Sequence, residues 1–112
     1  MRRGKEIAQG AHAAMAWLTR RMVFSDGRAC VELSQVERQW LETSFRKVTV
    51  TVSSQEQLMT VRDKARAAGL VVELITDSGR TEFHGVPTPT SLGIGPDYDD
   101  LIDPVTGDLD LY

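Results

Sequence analysis

A lone cysteine, Cys30, among 112 residues excludes any disulfide within the chain. With no companion thiol to form a redox or metal motif, it reads as a buried small hydrophobe of a reducing compartment. No apolar run approaches the roughly 20 residues a membrane helix needs. The first residues also lack a long apolar stretch leading to a small-residue cleavage site, so a cytoplasmic protein away from the membrane is expected. Metal-ligand spacing is missing too: His12 and His84 lie far apart and neither has a cysteine partner. Asp97, Asp99, Asp100 and Asp103 have neither the spacing nor the glutamate of a calcium loop and read as a solvated face. Gly93-Ile94-Gly95-Pro96 lacks the longer phosphate-cradling pattern, and its glycines instead let backbone approach backbone or substrate. There is no internal repeat and no low-complexity linker.

What is present suits one compact domain spanning residues 1–112, with 41% hydrophobic residues to supply a core. The net charge of −3 hides an uneven distribution. Residues 1–66 carry 12 Lys/Arg against 7 Asp/Glu, a net of +5, whereas residues 67–112 carry 1 against 9, a net of −8. Arg2, Arg3, Lys5, Arg20, Arg21 and Arg28 can therefore meet phosphates locally while the acidic second half repels them. The alternative is that these arginines only solvate helix surfaces.

Between residues 4 and 22, Ile7, Ala11, Ala14, Leu18 and Met22 recur at helical spacing and predict one apolar face. Lys5, Gln9 and His12 fall in a stripe nearly opposite, with Ala16 and Arg20. Ser25-Asp26-Gly27 reads as a turn. Ser34-Gln35-Val36-Glu37 has capping-box spacing and opens a second helix over 35–45 that should bury Val36, Trp40 and Leu41. The alternation in residues 47–52 predicts a half-buried strand, Ser53 or Ser54 caps a third helix, and Gly69 ends it. A strand over 70–75 leaves Asp77-Ser78-Gly79-Arg80 in the turn beyond it. A short strand at 81–83, a proline-bearing loop at 86–89, a strand at 91–94 and a last short segment follow. The strand, helix, strand order over 47–76 favours a parallel crossover.

Asp77, at the end of an apolar strand, can orient or deprotonate water. Lys5 can neutralise charge on an ester oxygen or hold a phosphate, and kinetics separate the two roles. His12 and Gln9 offer a titrating ring and an amide, and Arg80, Thr81 and Thr90 offer a cation and two hydroxyls. Each also has an ordinary structural role as its alternative, in a turn, a strand or a solvated helix face.

Two segments far apart turn these separate candidates into a pattern. Gly4-Lys5-Glu6-Ile7-Ala8-Gln9-Gly10-Ala11-His12-Ala13-Ala14 stands at the start, and Thr76-Asp77-Ser78-Gly79-Arg80-Thr81 is followed by Thr90-Ser91-Leu92-Gly93-Ile94-Gly95-Pro96. Over nearly the whole chain the sequence resembles the archaeal and eukaryotic type of peptidyl-tRNA hydrolase, which also has bacterial members. The resemblance implies a three-layer α/β/α fold on a four-stranded mixed sheet whose first strand is absent from this chain. It implies a metal-independent hydrolase of the ester in peptidyl-tRNA, with no cofactor. Lys5, Asp77 and Thr90, with His12, would carry the catalysis, and Gln9, Arg80, Thr81, Arg2, Arg3 and Gly95 would bind substrate. A homodimer is a further possibility on this resemblance. The rival readings are a non-catalytic module that holds tRNA or an aminoacyl ester on the same fold, and a protein-interaction domain assembling through exposed sheet edges.

Overall fold

The computed structural model describes residues 1–78 and 85–112. In chain order these form α1 (Arg3–Thr19), β1 (Val23–Ser25), β2 (Arg28–Cys30), α2 (Gln35–Glu42), α3 (Gln55–Ala67), β3 (Val72–Asp77), β4 (Thr88–Ile94) and α4 (Asp99–Thr106). Strands β1 and β2 make one antiparallel hairpin, and β3 and β4 make a second antiparallel pair. The expected four-stranded mixed sheet is thus replaced, among the described residues, by two small antiparallel sheets within a mixed α/β fold.

The β3–β4 pair organises the molecule because its side chains alternate between two helical layers. On one face Glu73, Ile75 and Asp77 meet α1 through Arg20, the alanines Ala13 and Ala16, and Lys5 respectively. On the other face Val72, Leu92 and Ile94 pack with α3 and α4 around Val61, Ala65, Leu70 and Val105. Helix α1 approaches β4 closely: a Cβ at Gly93 would lie 2.3 Å from the Ala13 carbonyl oxygen. Only glycine fits there without moving the helix.

This packing departs in part from the predicted faces of α1: Ala14, Leu18 and Met22 are half-buried, and His12 and Arg20 are exposed. Ile7 is 69% exposed and Ala11 is exposed, while Gln9, Ala13, Ala16 and Trp17 are buried. Small residues bring the helix onto the sheet, and the polar side chains on that stripe have specific partners. Burial therefore costs less there than a hydrophobicity count assumes.

The predicted strand at 47–52 does not form a ladder. Val50 bridges Leu111, Thr51 N donates to Asp110 O at 2.9 Å, and Tyr112 N donates to Thr49 O at 3.0 Å. A strand needs neighbours along its length, and here only the last three residues lie beside it. With no such ladder, the described residues contain no parallel crossover. The loop expected at 86–89 ends early, since Thr88 and Pro89 already belong to β4, paired with Asp77 and Thr76. The last segment is a helix despite Pro104, with Asp99 and Asp100 in the first turn complementing its dipole.

Helix α2 starts with the predicted capping box and ends at Glu42, short of the expected Phe45. Thr43 Oγ1 donates to Gln39 O at 2.6 Å, and Phe45 leaves the helix at φ 49. Val36, Trp40 and Leu41 are only half-buried, and Glu37 is the buried side chain at 3% exposure. It accepts from the two terminal guanidinium nitrogens of Arg21 at 2.8 Å each and from Ser34 N at 2.9 Å. Burial alone would raise the Glu37 pKa, but these donors prevail and lower it. Trp40 stacks edge-on against Trp17, with centroids 6.1 Å apart.

The turn at Asp26 and Gly27 has positive φ at both residues, 51 and 74, as a tight two-residue hairpin requires. All six strand residues of that hairpin are exposed. Cys30 is consequently exposed and not buried as expected. No helix among the described residues is long and apolar enough to cross a membrane.

Candidate active site

Three elements converge where the first turns of α1 cross the C-terminal end of β3 and the N-terminal half of β4. Lys5 and Gln9 are four residues apart on α1 and therefore share a face. Asp77 closes β3 on the side facing that helix. Lys5 Nζ lies 3.1 Å from Asp77 Oδ1, with Lys5 20% and Asp77 6% exposed. The second carboxylate oxygen, Asp77 Oδ2, is buried without a hydrogen-bond partner among the described residues. A buried anionic oxygen without a donor is costly, and a substrate hydroxyl or a water would relieve it.

Strand β4 adds a local irregularity. Ile75 pairs with Ser91 and Thr76 pairs with Pro89, so Thr90 is the extra residue of a β-bulge. The bulge turns both Thr90 and Ser91 toward α1. Thr90 Oγ1 donates to Gln9 Oε1 at 2.7 Å, with Ile75 O a more distant acceptor at 3.4 Å. Ser91 Oγ donates to the Gln9 backbone carbonyl at 3.2 Å. Gln9 is 6% exposed, a neutral amide buried next to an ion pair.

The structure thus gathers Lys5, Asp77, Gln9 and Thr90 in one place. His12 is exposed, and no hydrogen bond links it to Lys5 or Asp77 among the described residues. Arg2 and Arg3 are exposed at the start of α1, one turn or less before Lys5. Gly95 lies at the opposite end of the β3–β4 pair, where its N–H donates to Val71 O at 2.8 Å. Five residue pairs separate that end from Asp77, on the order of 17 Å. Arg80 and Thr81 lie outside the described residues. Among those residues no three His, Cys, Asp or Glu side chains converge as a metal site would need.

Sequence reading missed Ser91 and the Ile75 carbonyl. The signal for Ser91 was faint, a small hydroxyl residue two positions before a glycine in a strand. Parity offered a stronger one for Asp77: period-two alternation from Glu73 puts that carboxylate on the helix-facing side.

This arrangement can present a cation, a buried carboxylate, an oriented amide and two hydroxyls to one polar substrate group. Comparison with known proteins gives it a family. A family model described as "Peptidyl-tRNA hydrolase PTH2" matches residues 1–112. The peptidyl-tRNA hydrolase of Metallosphaera sedula is 44% identical over 111 residues, covering 99% of this chain and 89% of that protein. That of Halobacterium salinarum is 38% identical over 112 residues, covering 100% and 89%, and that of Methanocaldococcus jannaschii 35% over 111 residues, covering 99% and 89%. Matched from Met1 to Tyr112, with the lysine and the aspartate of its two motifs in contact, the chain belongs to the peptidyl-tRNA hydrolase PTH2 family.

Proposed function

We propose that the protein hydrolyses the ester between peptide and tRNA in peptidyl-tRNA, freeing the tRNA for reuse in the cytoplasm. The observation that carries this reading is the Lys5–Asp77 contact at 3.1 Å, with Asp77 Oδ2 without a donor among the described residues. A water donating to Oδ2 would be oriented and would pass a proton to the carboxylate as its oxygen attacks the ester carbon. The bond formed is from water oxygen to carbonyl carbon. The bond broken joins that carbon to the ribose oxygen, which leaves as a hydroxyl on taking up a proton. Lys5, held by the same carboxylate, offsets the negative charge that develops on the reacting group. Arg2 and Arg3 are exposed just ahead of Lys5, where they would meet phosphates of the acceptor end.

The purified chain, incubated with an N-blocked aminoacyl-tRNA, should release the blocked amino acid in repeated turnovers. Asp77→Asn should lower kcat by about 10²-fold or more, the scale of a lost general base. Turnover unchanged in a Lys5→Ala, Asp77→Ala double variant would remove both residues from the mechanism. Retention of charged tRNA without product would make the protein a binding module.

A further inference from the structure

Thr90 is placed by its bulge and not by the sheet. The ladder steps from Ile75–Ser91 to Thr76–Pro89, and the residue it skips turns its hydroxyl onto α1. That hydroxyl has one proton and faces two groups that can only accept, Gln9 Oε1 at 2.7 Å and Ile75 O at 3.4 Å. The shorter contact takes the proton. A primary amide has its acceptor and its two donors on opposite branches, so fixing Oε1 fixes where the NH2 group points. The backbone of Gln9 is held as well, because Ser91 Oγ donates to its carbonyl at 3.2 Å. Gln9, at 6% exposure and one helical turn beyond Lys5, thus has neither a free rotamer nor a free flip.

We infer that Thr90 is a positioning residue that locks the Gln9 amide so that Gln9 Nε2 donates to the substrate carbonyl oxygen as it becomes negative. The inference rests on the ester-hydrolase reading above and assigns within it the oxyanion donor. The division of labour is chemical: the charged Lys5–Asp77 pair handles proton and charge, and a neutral amide supplies a donor that needs no proton transfer. No atom is exchanged by Thr90 or Gln9 in this role. With valine at position 90 Gln9 Oε1 loses its donor, and the amide is free to turn.

The test uses the full chain and N-blocked aminoacyl-tRNA, with kcat and KM measured separately. Gln9→Ala should lower kcat about 10²-fold, as loss of an oxyanion donor does, with KM within about twofold. Thr90→Val should lower kcat about tenfold or more, Thr90→Ser should restore it, and adding Thr90→Val to Gln9→Ala should cost nothing further. Additive losses would mean that Thr90 touches substrate on its own, and an unchanged kcat in Thr90→Val would remove the lock; either overturns the inference. Gln9→Glu gives a second route if Thr90→Val does not fold, since it keeps the acceptor and removes the NH2; it should lose kcat as Gln9→Ala does. A readout without substrate separates this from the functional reading. The Gln9 side-chain Nε2 in a ¹⁵N-labelled sample should be rigid by relaxation measurements in the native protein and in Thr90→Ser, and mobile in Thr90→Val. A mobile Nε2 in the native protein overturns the lock. A rigid amide in a native protein without turnover would instead overturn the hydrolase reading, and the donor role with it.

Discussion

Asp77 is buried with Lys5 as its ion-pair partner, so removing Lys5 leaves a buried carboxylate without its cation. Lys5→Met should destabilise the fold by about 3 kcal/mol, the cost of an unpaired buried charge, and Asp77→Ala in that background should recover part of it. Urea unfolding of the two variants and the native chain measures both. Gly93 is the second sensitive residue. An alanine there meets the Ala13 carbonyl at 2.3 Å, so α1 must shift off the sheet. We expect Gly93→Ala to cost about 1–3 kcal/mol by the same urea titration and to lower kcat, because Lys5 rides on the displaced helix. Lys5, Asp77, Gln9 and Thr90 could be singled out from sequence because each sits in one of two recognisable motifs. His12 belongs to the same segment yet is exposed, since a motif fixes spacing along a helix and not which flank the sheet covers.

At the scale of elements, sequence pattern succeeded where the signal is local and failed where it depends on a neighbour. The capping box at Ser34 and Glu37 and the left-handed glycine at 69, φ 77, are decided within four residues, and both are present. The buried face of α1 is decided by β3 and β4. Its alanines, with Gly93, give the close approach, and Ile7 points outward although a periodicity count assigns it to the core. Residues 47–52 alternate as a strand should, but alternation supplies no partner. Helix α2 yields a test of the local part. Ser34→Ala should cost about 1 kcal/mol in urea unfolding, and Arg21→Met should cost more, because Glu37 is left charged and buried. The pH dependence has a definite sign. Glu37 has a pKa below the usual glutamate value when folded, so its contribution to stability is complete above the ordinary carboxylate range and is lost as pH falls through the folded value. The native chain should therefore lose more stability on acidification than Glu37→Gln does, and urea midpoints across the acid range measure the difference.

The molecule as a whole is electrically divided, +5 over residues 1–66 and −8 over residues 67–112. A phosphate-bearing partner should meet it on the first half only. Affinity for tRNA should then fall steeply with salt, and replacing both Arg2 and Arg3 with glutamine should make the slope of log K against log salt shallower by about 2. A filter-binding series over salt concentration measures this, and an unchanged slope would place the phosphates elsewhere. The layered architecture was legible only in part at this scale: helices flank the β3–β4 pair on both faces, but which strands pair is a long-range property that composition and periodicity do not encode.

The exposed β1–β2 hairpin has a practical consequence. Its Cys30 is the chain's sole thiol, is open to solvent, and sits past the far end of α1, on the order of 20 Å from Lys5. A maleimide dye can therefore be attached to the natural sequence at one known address, leaving the proposed active site untouched. Energy transfer from that dye to a labelled acceptor stem would report how a bound tRNA lies across the protein, with no engineered residue anywhere in the chain.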